Sequence, residues 1–123
     1  MRNRLVSIVD DDIAFARELS NRLREKGLET VIIGGGMELI SVLNIDVPDV
    51  IIIDTMLNWI DSRELIGALK KNPAFKKIKV FLVTEQKAAE SINDNNLKIF
   101  QKVTDTDLLI KKIIEENDSD ETS

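Results

Sequence analysis

Four short apolar runs, Leu5–Val9, Thr30–Ile33, Val50–Ile53 and Val80–Val83, are separated by longer stretches whose apolar residues recur at helical spacing. Runs this short fit strands, and the intervening periodicity fits amphipathic helices. From Ile13 to Lys26 the apolar positions are Ile13, Ala16, Leu19 and Leu23, with Asp12 placed as N-cap and Gly27 as C′ residue. A short helix over Met37–Leu43 and a third over Asp61–Lys71 follow, the latter with Asp61 and Glu64 in capping-box spacing. Leu97–Phe100 reads as a fifth strand and Asp105–Glu116 as a last helix striped by Leu109, Ile110, Ile113 and Ile114. The segment from Glu85 to Ser91 has a weak helical signal through Ala88, Ala89 and Ile92, and the following SINDNN is rich in turn formers, so the fourth helix is expected to be short or irregular. Strict alternation of five strands and about five helices predicts a doubly wound α/β domain, a parallel sheet between two helical layers. The near-continuous apolar character of the strands agrees with burial on both faces. The domain is expected to fill residues 1–117, and the closing DSDETS, with nothing to bury, to form an acidic frayed tail over 118–123.

A length of 123 residues suits one domain. The formal net charge of −5, from 17 basic and 22 acidic side chains, argues against contact with nucleic acid, which calls for a basic face. No apolar run approaches the roughly 18 residues of a membrane span. The opening MRNRLVSIVD carries positive charge, but its apolar stretch ends at once in acids, so no signal peptide is expected and the cytoplasm is the default location. The chain has neither Cys nor His. That excludes disulfides, thiolate chemistry, imidazole metal ligands and a histidine general base from its own side chains. Any chemistry must run on carboxylates, hydroxyls, lysines and backbone groups.

In doubly wound sheets ligands bind beyond the carboxyl ends of the strands, and the residues standing there are selective. The first strand ends in Asp10, Asp11 and Asp12, the second in Gly34–Gly36, the third in Asp54, the fourth in Thr84 and the fifth in Lys102. Carboxylates converging on one sheet edge repel each other unless a cation lies between them. A hard divalent ion such as Mg2+ suits such a group, with Lys102 able to pair with the remaining charge and Thr84 to donate to an incoming oxyanion.

These residues, the acidic pair in VDDD, the aspartate in IIIDTML, the threonine in FLVT and the lysine in IFQK, resemble the receiver domain of two-component response regulators over residues 4 to about 117. The resemblance implies a flavodoxin-like strand order 2-1-3-4-5 in a three-layer α/β/α sandwich. It implies that Asp54 accepts a phosphoryl group from the phosphohistidine of a sensor histidine kinase or phosphotransfer protein. Asp11 would bind Mg2+ directly, Asp10 through water, and Asp54 and the Met56 carbonyl would complete the protein's ligands. Thr84 and Lys102 would bind phosphoryl oxygens. Such a domain is no enzyme beyond its own phosphoryl transfer and dephosphorylation, and it signals to a downstream protein target.

The chain also departs from the family pattern. Val103 stands where a proline in a cis peptide usually follows the lysine, so a trans bond and an altered loop are expected. Ile99, with Phe100 beside it, occupies the place of the switch aromatic, Asn58 and Ser62 replace a proline and a glycine, and the stretch from Thr84 to Lys102 is about one helical turn short. These departures motivate a second reading, a pseudo-receiver acting as a phosphorylation-independent interaction module. A haloacid-dehalogenase-like phosphatase uses similar residues, but there the nucleophile ends the first strand and a second aspartate follows two residues later, where this chain has Met56. Asp12 and Asp61 read chiefly as caps, Gly34–Gly36 as a turn, and Trp59 either as a partner anchor or as a half-buried loop residue.

Overall fold

The computed structural model describes residues 4–57, 61–85 and 99–122, with side chains as far as Glu115. Five strands, β1 (Leu5–Val9), β2 (Glu29–Ile33), β3 (Val50–Asp54), β4 (Lys79–Thr84) and β5 (Ile99–Gln101), form one sheet in the order β2-β1-β3-β4-β5. All four pairings are parallel. The helices are α1 (Ile13–Glu25), α2 (Gly36–Leu43), α3 (Ser62–Lys71) and α4 (Thr106–Thr122). The expected fourth helix after Glu85, together with Asn58, Trp59 and Leu97, lies outside the described residues.

Alternation along the strands divides the core in two. Val6, Ile8, Val50 and Ile52 face one way and pack with Leu19 and Leu23 of α1 and Leu109 and Ile113 of α4. Val9, Ile51, Ile53 and Leu82 face the other way, against Leu39 of α2 and Leu65 and Leu69 of α3. β3 is buried at every position, Val50 through Asp54, so this central strand is clamped from both sides. A fully buried aliphatic side chain contributes about 1.5–3 kcal/mol relative to exposure, which makes β3 a stiff mount for its last residue. Ser7 is the exception within the sheet: it is fully buried and its Oγ has no hydrogen-bond partner among the described residues.

The local signals act where they stand in sequence. Asp12 caps α1 by accepting from Phe15 N at 3.2 Å, and Asp61 caps α3 by accepting from Arg63 N at 2.9 Å. Gly27 follows the C-cap with φ 90, a conformation L side chains rarely adopt. Ser20 and Thr30 share a hydroxyl hydrogen bond of 2.5 Å that ties α1 to β2. One boundary needs correction. α4 does not stop at Glu116 but runs to Thr122. The residues expected to form a frayed tail carry helical backbone, since no Gly or Pro interrupts them and propagation adds a hydrogen bond per residue.

Candidate functional site

The register of the sheet assembles the site. Val9 pairs with Ile53, so the residues that follow and end those runs, Asp10 and Asp54, come side by side. Asp54 pairs with Val83, placing Thr84 just beyond it, and Thr84 pairs with Gln101, placing Lys102 next in line. The backbone continues these alignments past the strands: Thr55 N donates to Val83 O at 2.9 Å and Lys102 N to Thr84 O at 2.8 Å.

Lys102 is the centre of the charge pattern. It is only 7% exposed, and its Nζ lies 2.7 Å from Asp54 Oδ2, to which it donates, and 2.8 Å from Asp10 Oδ2. Asp12 Oδ2 at 3.9 Å and Glu85 Oε1 at 4.0 Å stand further out. The aromatic ring of Phe15, from the first turn of α1, sits 4.9 Å from the ammonium, within cation–π range. Burial acts to lower the Lys102 pKa, but the hydrogen bonds and charges of Asp10 and Asp54 outweigh it, and the group is held above its ordinary value. Lys102 is therefore firmly an ammonium.

The carboxylates differ in their surroundings. Asp10 is fully buried. Burial pushes its carboxyl from 3.8 up to about 6, with the Lys102 contact and the Asp12 backbone N–H pulling back and the Asp54 charge adding to the rise. Its Oδ1 accepts from Asp12 N at 2.9 Å. Its Oδ2 has the ion-pair contact with Lys102 but no well-directed hydrogen bond. Asp54 is 5% exposed; Oδ1 accepts from Met56 N at 2.7 Å, folding the start of the following loop around the carboxylate. Asp11 is exposed, and one oxygen from each of Asp10, Asp11 and Asp54 lies within 4.8 Å of the others.

This donor set fits a hard divalent cation. The oxygens are all carboxylate, they are close enough to share one ion, and Asp10 Oδ2 is a buried oxygen without a directed donor. A cleft of about 210 Å3 opens over them, lined by Asp11, Asp54, Met56, Thr84 and Glu85. Thus Asp10, Asp11, Asp54, Thr84 and Lys102, singled out at the strand ends, and Met56, implied by the resemblance, are brought to one place.

Three contributors were given no part in the site from the sequence, although Ser62 was noted there in place of a glycine. Ser62, almost fully buried at the first turn of α3, donates from Oγ to the Asp54 backbone carbonyl at 2.6 Å. It braces the phosphoacceptor candidate from behind, a role a glycine could not take. Phe15 and Glu85 are the others; each adjoins a residue that was legible, Phe15 at the third position after the Asp12 cap and Glu85 immediately after Thr84.

The departures also have structural forms. The Lys102–Val103 bond is trans, and Val103 takes φ 67 with 84% exposure. Ile99 packs half-buried on the α3 side of the sheet, whereas Phe100 turns into the opposite core, its ring 5.9 Å from that of Phe81. Phe100 therefore does not replace an aromatic at position 99.

A family model described as the response regulator receiver domain matches residues 6–114. The "Probable transcriptional regulator ycf29" of Pyropia yezoensis is 31% identical over 77 residues, 63% of this chain and 35% of that protein. The match thus spans about a third of that relative's length. Among solved structures, the chemotaxis response regulator CheY4 of Vibrio cholerae superposes with a TM-score of 0.81 at 20% identity, covering 93% of this chain and 98% of that one. A CheY-like receiver domain protein from Methanospirillum hungatei JF-1 gives 0.82 at 23% identity, with 98% of each chain covered. At such identities these structures speak for the fold.

Proposed function

Since the chain belongs to the response regulator receiver domain family, we propose that it is a phosphoacceptor in two-component signalling, with Asp54 as the residue modified. One observation carries this reading: the carboxylates of Asp10, Asp11 and Asp54 lie within 4.8 Å of one another while Lys102 Nζ stands 2.7 Å from Asp54 and Thr84 lines the same cleft.

In this reading an oxygen of the ionised Asp54 carboxylate attacks phosphorus, a P–O bond forms, and the P–N bond of the donor phosphohistidine breaks. The imidazole leaves with the bonding electron pair and takes up a proton. The donor histidine belongs to a sensor kinase or phosphotransfer protein, consistent with the lack of His here. Asp11 directly, Asp10 through water, Asp54 and the Met56 carbonyl would hold Mg2+. The ion would supply positive charge for the phosphoryl oxygens during transfer. Lys102, already charged, moves its contact from Asp54 to a phosphoryl oxygen, and the Thr84 hydroxyl donates to another. Met56 N and Ser62 Oγ keep the Asp54 carboxylate and carbonyl in place while the charge rearranges. The chain performs only its own phosphorylation and dephosphorylation. The output is a contact with a downstream protein, made without nucleic acid or membrane, in the cytoplasm.

Intact mass after incubation with acetyl phosphate and Mg2+ tests this. One phosphoryl group should add to the wild type, with none on Asp54→Ala and none when the ion is chelated. No adduct, or an equal adduct on Asp54→Ala, overturns the phosphoacceptor assignment.

A second reading, the pseudo-receiver, is favoured by the positions of Ile99 and Phe100. With Phe100 turned into the α1/α4 core, the aromatic partner that would follow Thr84 inward is absent from position 99. In that case phosphorylation, if it occurs, leaves the partner surface unchanged, and amide exchange in α4 and β5 does not differ with beryllofluoride.

A further inference from the structure

Glu85 has no part in the chemistry above, yet it lines the cleft beside Asp11, Asp54, Met56 and Thr84. Its side chain is 72% exposed and its Oε1 lies 4.0 Å from Lys102 Nζ, the ammonium that the phosphoryl group requires. The backbone just before it is tied to the fifth strand's end, because Thr84 O accepts from Lys102 N at 2.8 Å. An exposed carboxylate gains little stability from such a contact. Its influence falls on what enters the cleft. There Asp10, Asp12, Asp54 and Glu85 already set four carboxylates within 4.0 Å of Lys102, with Asp11 beside Asp10 and Asp54.

We propose that Glu85 is a specificity-determining residue, competing with incoming oxyanions for Lys102 and repelling small free phosphoryl donors. This rests on the phosphoacceptor reading. A unit charge about this close in a partly hydrated cleft changes anion affinity on the order of tenfold, and the effect fades with salt.

Calorimetric titration with beryllofluoride and Mg2+, at low and high ionic strength, tests it on the wild type, Glu85→Gln and Asp54→Ala. Glu85→Gln keeps the size and shape of the side chain and removes only its charge. It should bind roughly tenfold more tightly than the wild type at low salt, with the gap closing at high salt. Equal or weaker binding by Glu85→Gln, with Asp54→Ala silent, overturns the inference and leaves the phosphoacceptor reading standing. A gain that persists unchanged at high salt comes from hydrogen bonding by the new amide and not from the lost charge, and likewise overturns it. No Asp54-dependent binding in either protein overturns both.

Discussion

At the scale of single residues, the site is a balance between one ammonium and the carboxylates that surround it. Asp10 bears the largest cost, being fully buried with its pKa at about 6 instead of 3.8. A carboxyl whose folded-state pKa is raised favours the folded state while protonated. That contribution is complete below 3.8, the unfolded value, and is lost as pH rises through about 6. The rise corresponds to about 3 kcal/mol as an order of magnitude. Asp10→Asn removes the charge and keeps an oxygen able to accept from Asp12 N. Without divalent ion it should therefore melt higher than the wild type at about pH 7.5, by up to about 3 kcal/mol. The difference should vanish by about pH 4, where both side chains are neutral. Thermal melts across this range decide it; an unchanged difference at low pH would place its cause elsewhere than in the Asp10 charge. Lys102 and Asp10 were legible in sequence because each directly follows a run that ends at the same sheet edge. Ser62 was not, since the brace it makes depends on how a loop returns α3 to the carbonyl of Asp54, a distance no spacing encodes.

At the scale of elements, the strands were legible to within a residue or two, whereas connections were legible only where a single residue dictates the backbone. Asp12, Gly27 and Asp61 did so. The β5–α4 connection shows the opposite case. Replacement of proline by Val103 announced an altered loop, but not that a β-branched residue would take φ 67. For an L residue that region costs roughly 1–2 kcal/mol, and at 84% exposure Val103 gains little burial to offset it. Val103→Gly should stabilise the protein, by about 0.5–1 kcal/mol after the larger chain entropy of glycine is counted. Val103→Pro, which restores the common family residue, should destabilise by about 3 kcal/mol or more, because proline holds φ near −65°. Chemical denaturation of the three proteins measures both. If proline is tolerated, the loop has a second conformation close in energy to the one seen. The length of α4 was missed for a related reason: charged residues without Gly or Pro neither demand a helix nor stop one.

At the scale of the whole molecule, the sheet order puts β1 and β3 at the centre, covered on both faces, so the carboxylates at their ends are held together by the core and not by attraction between them. The fold therefore works against the electrostatics of its own edge. The two opposed cores around β3 hold Asp54 beside Asp10, with Lys102 as the internal counter-charge. Any ion that binds this arrangement and not the unfolded chain must stabilise the folded state by mass action, about 2.7 kcal/mol at a hundredfold excess over Kd. Mg2+ should accordingly raise the melting temperature of the wild type. The increment should shrink in Asp11→Ala and Asp54→Ala, which each lose a carboxylate of the proposed ion site, and should fall as pH drops through about 6 and Asp10 takes up its proton. Ca2+ and matched NaCl serve as controls for ion size and for screening. An equal rise in wild type and Asp54→Ala would mean that the ion binds elsewhere. A rise confined to proteins that retain Asp11 and Asp54 would show that the cation relieves the repulsion that the sheet imposes.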